Sequence, residues 1–167
     1  MSSYTHQIAR AEFAEGTTVN PPNHKTTVRD HGGPHIDLER YLPSEVAAIS
    51  PFVDKLMILI KKCRCVPERE TDVEIALREA LANAIIHGNR EDPQKQVHVT
   101  CRCEPDEVSI AIRDEGQGFD INKVCDPTAP ENIGSVHGRG ICLMKTFMNE
   151  VRFEEGGTVV HMRKTAT

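Results

Sequence analysis

The chain has 167 residues, with 20 basic and 25 acidic side chains and a formal net charge of −5. That length suits one compact domain burying roughly 70% of the surface its unfolded chain exposes, and the mild acidity excludes the clustered Lys and Arg that neutralise nucleic-acid phosphates. The longest apolar stretch, over residues 52–60, is broken by Asp54 and Lys55 and is too short to span a bilayer. No charged-then-apolar leader is present, so the expected compartment is the cytoplasm, with no membrane and no direct nucleic-acid partner.

Residues 1–34 carry few large apolar groups and contain Pro21-Pro22 and Gly32-Gly33-Pro34 breaks. Such a segment lacks the apolar surface to offset its ordering entropy and reads as a flexible tail before a domain over residues 35–167. His6, His24, His31 and His35 fall in or beside it, too irregularly spaced for a metal-binding tract. Ile36, Leu38 and Tyr41 suggest a short strand leading to Pro43. Apolar residues then recur with helical spacing at Ile49, Phe52, Val53, Leu56, Leu59 and Ile60. Pro51 either opens that helix with Ser50 as its cap or kinks a longer one beginning near Ser44.

The spacing predicts a second helix with Thr71 and Glu74 as a capping box and Val73, Leu77, Leu81 and Ala84 as its buried stripe, ended by Gly88 as a left-handed cap. Beyond Pro93 the period becomes two: Val97, Val99, Cys101 and Cys103 share one face, and after Glu104-Pro105-Asp106 so do Val108, Ile110 and Ile112. That is a hairpin with one buried face. A long irregular connection from Asp114 to about His137 precedes a helix with Leu143, Met144, Phe147 and Met148. Val151 and Phe153, a Gly156-Gly157 turn, and Val159 with Val160 close the chain. Helices on one face of a mostly antiparallel sheet make a two-layer α+β sandwich.

Cys63, Cys65, Cys101, Cys103, Cys125 and Cys142 lack the spacing of a structural zinc site. They read as reduced core cysteines, behaving as small hydrophobes.

Three segments carry chemistry. In the second helix Glu79, Asn83 and His87 are four apart and stack on one face, where a carboxylate and an amide among small Ala residues look like a polar site beside a core. Asn is a poor mid-helix residue because its side chain competes for backbone hydrogen bonds. In Arg113-Asp114-Glu115-Gly116-Gln117-Gly118-Phe119, a carboxylate ends a strand and alternate glycines let the backbone approach a ligand or take positive φ. In Gly134-Ser135-Val136-His137-Gly138-Arg139-Gly140-Ile141, glycines beside a helix start expose backbone N–H groups to an anion, and no Gly-Lys-Ser/Thr follows to make a Walker loop.

Together, in this order, the segments resemble the N, G1 and G2 boxes of the GHKL ATPase superfamily, which includes gyrase, Hsp90, histidine kinases and MutL. The nearer likeness is to the anti-sigma factor serine-protein kinases, carried by Glu79-Ala80-Leu81-Ala82-Asn83-Ala84-Ile85-Ile86-His87-Gly88-Asn89, by residues 143–151 and by Gly157-Thr158. It spans about residues 36–164 and implies the two-layer GHKL (Bergerat) sandwich, with a mixed, mostly antiparallel sheet. It also implies ATP and Mg²⁺ as cofactors, Glu79 as the general base and Asn83 as the Mg²⁺ ligand. Asp114 would accept from the adenine amino group, supported by Thr158, Gly116 and Gly118. Gly138, Arg139, Gly140 and Ile141 would line the phosphates under a lid over residues 121–137, in which Lys123 is a further basic residue; His87 and His137 receive no role.

The activity implied is a serine/threonine protein kinase that phosphorylates a STAS-type anti-sigma-antagonist and sequesters a sigma factor, working as a homodimer through the first strand and the helix after it. A binding module that sequesters a partner without phosphoryl transfer is the alternative. A detached histidine-kinase catalytic domain is disfavoured by the pattern at residues 83–89 and by the absence of a preceding phospho-acceptor helix pair.

Overall fold

A computed structural model describes residues 35–120 and 136–167, with residues 136–138 described by their backbone alone. The tail expected over residues 1–34, Lys123, Cys125 and the lid as far as residue 135 lie outside the described residues. Strands β1 (Ile36–Pro43), β2 (Gln96–Glu104), β3 (Glu107–Arg113), β4 (Glu150–Glu154) and β5 (Val159–Thr165) form one sheet in the order β1-β2-β3-β5-β4. The helices are α1 (Ile49–Cys63), α2 (Glu70–Ala82) and α3 (Val136–Phe147). This is the α+β architecture of the GHKL fold. Every pairing among the described strands is antiparallel, so the parallel component of the expected mixed sheet is missing from these residues.

The period-two reading of the central hairpin holds: Val97, Val99, Cys101, Cys103, Val108, Ile110 and Ile112 are all buried against the helices. In β1 strict alternation puts Leu42, not Tyr41, on the face of Ile36 and Leu38. Tyr41 turns outward and stacks on His98 with ring centroids 4.5 Å apart. In α1, Phe52, Val53, Leu56, Leu59 and Ile60 form the buried stripe. A short 3₁₀ turn, Val46–Ala48, leads into it, and Pro51 is its third residue, where a missing N–H costs nothing because first-turn donors have no intrahelical acceptor. Ser50 is no cap; its hydroxyl accepts from Arg78 at 3.2 Å.

The expected capping box on α2 does not form. The helix starts one residue before Thr71, its N-cap is Arg69, and no side chain caps it. Glu70 and Asp72 in its first turn complement the dipole instead, and Asp72 pairs with Lys164 at 2.8 Å. The Lys164 ammonium also donates to the Phe147 carbonyl at 2.7 Å, so one largely covered cation ties β5 to the start of α2 and the end of α3. Leu143, expected as apolar packing on α3, is exposed, whereas Ile141, Met144 and Met148 are buried.

Cys63, Cys65, Cys101 and Cys103 are free and buried, as read; Cys142 is free but exposed. Burial, then neighbouring Cys65, pushes the Cys63 thiol up to about 11. The Cys65 thiol is raised chiefly by its hydrogen bond with Cys103, and Cys103 chiefly by its bond with Cys101. Among the described residues no group of three or more His, Cys, Asp or Glu side chains is arranged to hold a metal ion, and no helix is long and apolar enough to cross a membrane.

Candidate functional site

Helix α2 widens at its end into a π-helical turn, Asn83–Gly88, closed by the Asn89 N–H donating to the Ala84 carbonyl at 2.8 Å. Such single π turns occur often at functional sites. Here the turn carries Asn83, His87 and the backbone of Gly88 to the wall of a cavity of about 410 Å³, a volume suited to a small-molecule ligand. The cavity lies between α2 and α3 and reaches the ends of β3, β4 and β5.

At one end sits Asp114, just past β3. Its N–H donates to the Thr158 carbonyl at 2.9 Å, and its Oδ1 accepts from the Gly116 N–H at 2.8 Å. Burial pushes this carboxyl above its ordinary range, while the Gly116 N–H and the Lys95 charge pull it back. The surrounding glycines are required by close packing. A Cβ on Gly88 would lie 2.4 Å from Asp114 Cγ, and one on Gly116 would lie 2.2 Å from the Gly88 carbonyl oxygen. Gly88 is not the expected left-handed cap; beyond the π turn the chain first takes positive φ at Arg90 and Glu91. Gly118 does take positive φ (71°), and a Cβ there would meet the Gly156 carbonyl oxygen at 2.1 Å.

Phe119 follows, packing edge-on against Phe153 with centroids 5.5 Å apart, and both line the cavity. Thr158 lines it too, its hydroxyl donating to the Glu155 carbonyl at 3.0 Å.

At the other end, α3 begins at Val136, so Gly138, Arg139 and Gly140 lie inside the helix rather than in a loop before it. Gly140 is buried against α2. A Cβ there would lie 2.8 Å from Glu79 Oε2, 3.3 Å from Asn83 Nδ2 and 3.5 Å from Asn83 Oδ1. Glu79 and Asn83 thus present polar atoms to the same point on α3, as a helical spacing of four allows. The Asn83 amide oxygen is a hard donor of the type that Mg²⁺ accepts together with water and phosphate oxygens, so this residue fits that ion.

The structure therefore brings Asn83 and Ile141 to the lining at one end, with Glu79 and Gly140 packed beside Asn83 outside the lining. It brings Asp114, Gly118 and Thr158 to the lining at the other, with Gly116 packed beside Asp114. Arg139 is exposed and outside the cavity lining, because one residue along a helix turns a side chain by about 100°. The sequence reading missed Phe119, which immediately follows the second glycine of its box. Met144 was read only as an apolar helix position and Phe153 as part of the closing strand, and nothing in their periodicity separates core from cavity wall.

Comparison with known proteins agrees with this geometry. Residues 42–164 match the model of the Histidine kinase-like ATPase domain. Relatives named anti-sigma F factor include that of Oceanobacillus iheyensis, 37% identical over 101 residues (56% of this chain, 68% of the relative). That of Geobacillus stearothermophilus is 38% identical over 126 residues (71% and 75%), and that of Heyndrickxia coagulans is 33% identical over 127 residues (71% and 76%). The family match implies ATP as the nucleotide. The chain, with its pocket between a π-turned helix and a glycine-flanked carboxylate, belongs to the histidine kinase-like ATPase domain family.

Proposed function

We propose that this chain is an ATP-dependent serine/threonine protein kinase that phosphorylates a STAS-type anti-sigma-antagonist and holds a sigma factor. The observation that carries the reading is the convergence of Glu79 and Asn83 on Gly140, next to the cavity-lining Asn83 and Ile141. A domain that merely lodged a nucleotide would need no carboxylate there. The name shared by the relatives supports the sigma-factor side of the proposal. The homodimer would form along β1 and the helix after it, β1 being an edge of the sheet among the described residues, a position suited to strand pairing.

In this reading Asp114 accepts from the adenine amino group, and its burial sharpens the preference for that donor because a desolvated carboxylate gains more from a hydrogen bond. Asn83 would hold Mg²⁺, which when bound neutralises charge on the phosphates. In the same reading the backbone N–H groups at the start of α3 would bind the phosphates, with Gly138 and Gly140 adding no side chain to that turn. Glu79 takes the proton from the attacking hydroxyl, so the work of the site is positioning and charge neutralisation.

One observation favours the alternative, a module that sequesters its partner without transfer: no Lys or Arg lines the cavity among the described residues. Labelled Mg-ATP with a STAS-type antagonist decides between them. The kinase yields acid-stable phosphate on the antagonist, a histidine-directed enzyme yields acid-labile phosphate, and the module yields none. Glu79→Gln should retain ATP affinity while lowering transfer at least ~10²-fold, as loss of a general base does; equal rates would sink the assignment.

A further inference from the structure

Asn89 is fully buried, and no role in the reaction described above uses it. It stands one residue beyond the π turn, and its carboxamide reaches three separate pieces of chain. Nδ2 donates to the Ser44 hydroxyl at 2.7 Å and to the Gln96 carbonyl at 2.9 Å. Oδ1 accepts from the Glu115 N–H at 2.7 Å. Ser44 follows β1 and is itself 1% exposed, Gln96 opens β2, and Glu115 is the residue directly after Asp114. The Glu115 carboxylate closes the ring by accepting from the Gln96 N–H at 2.9 Å.

We infer that Asn89 is a positioning residue for base recognition: its carboxamide sets the 114–115 peptide against the end of α2, and through it the Asp114 carboxylate. The inference rests on the proposed ATP-binding reading of the cavity. Asp114 itself is tied by two hydrogen bonds, from the adjoining Gly116 N–H and to the Thr158 carbonyl just before β5. Neither fixes its register against the end of α2. Asn89 does, because it is covalently part of the segment that leaves the π turn and grips the far side of the same peptide. The backbones of Gly88 and Gly116 are in direct contact, which sets how close the two segments come. The carboxamide sets their register. Both of its donors and one acceptor are used, so no other side chain of that size satisfies all three partners: Asp lacks the donors, Ser lacks the reach and Leu lacks both.

The test uses the full chain and two probes, Mg-ATP and Mg-tripolyphosphate, in binding competition. Tripolyphosphate occupies the phosphate end alone. Asn89→Ala should weaken Mg-ATP at least about tenfold, in keeping with unsatisfied buried partners, and leave tripolyphosphate unchanged. Asn89→Asp, which keeps the acceptor for the Glu115 N–H, should recover part of the ATP affinity. An ATP-to-tripolyphosphate ratio equal to that of the wild type in Asn89→Ala overturns the inference, whether both affinities fall together or neither does. Should Asn89→Ala fail to fold, Ser44→Ala and Asn89→Asp are read by the same ratio, and wild-type ratios in both overturn it. A wild-type chain that binds tripolyphosphate but not ATP removes the ATP-binding reading itself, and this inference with it. An unaltered ratio in an ATP-binding chain removes only the role of Asn89.

Discussion

The two ends of the cavity are built from different materials. The end holding Asp114 is backbone packed on backbone: Gly116 against the Gly88 carbonyl, Gly118 against the Gly156 carbonyl, and the Asp114 N–H on the Thr158 carbonyl. The end holding Glu79 is side chains meeting a helix, with two flexible polar groups facing Gly140 across the α2–α3 contact. Backbone contacts cannot yield without moving strands, whereas a carboxylate can swing aside by rotation about its own bonds. The lesson is that substitutions of the glycines at the first end act through stability and base recognition together, and those at the second end act on reactivity with little cost in stability.

Gly118→Ala should be the most damaging change. It combines a left-handed backbone with a Cβ 2.1 Å from the Gly156 carbonyl oxygen, and strain of that kind costs on the order of 3 kcal/mol. Chemical denaturation should show the midpoint falling sharply, and a midpoint like that of the wild type would erase the contrast between the two ends.

Asp114→Asn separates recognition from stability. The carboxyl is raised by burial, so from its ordinary range up to its folded value the folded chain holds a proton that the unfolded chain has released. Its contribution to stability therefore declines as pH rises through that window and is a cost at neutral pH. Removing the charge should leave the nucleotide-free midpoint unchanged or raised, while ATP affinity measured by calorimetry falls about tenfold through loss of a charge-assisted hydrogen bond. The wild-type pH dependence of stability in that window should flatten in the variant.

Gly140→Ala tests the other end. Alanine in place of an interior helix glycine contributes roughly 0.5–1 kcal/mol, and the new methyl must push the Glu79 carboxylate from 2.8 Å. Thermal stability should hold or rise as phosphotransfer drops, and a fall in both would place this end in the same class as the first.

The smallest effect is expected away from both ends. Arg113 and Glu155 form a bidentate pair beside the glycine turn, and the Arg113 bond lowers the Glu155 carboxyl. Both groups are exposed, so Arg113→Ala should barely shift the unfolding midpoint or ATP affinity, because solvent screens such pairs.

Much of this site was legible in order and spacing. Glu79 and Asn83 are four apart, and that alone places them on one helix face whatever the fold. The glycines at 116 and 118 signalled close approach, and the hairpin alternation from Val97 to Ile112 gave its buried face correctly. Helix boundaries were less legible. Thr71 and Glu74 match a capping box in letters, yet α2 begins a residue earlier, since tertiary contacts such as Asp72 with Lys164 decide where a helix start is held. The segment around Arg139 was read as a loop before the helix, whereas it forms the first turns of α3 with Arg139 exposed.

What the sequence determined by itself is local: which residues alternate, which stack at helical spacing, and which positions admit only glycine or tolerate a carboxylate at a strand end. What tertiary structure decided is adjacency across long separations. That Gly88 abuts Asp114, that Gly140 meets Glu79, and that one amide of Asn89 joins Ser44, Gln96 and Glu115 follow from packing three helices on one antiparallel sheet. Periodicity reports a residue's angle about its own element and carries no information about which neighbour that angle will meet.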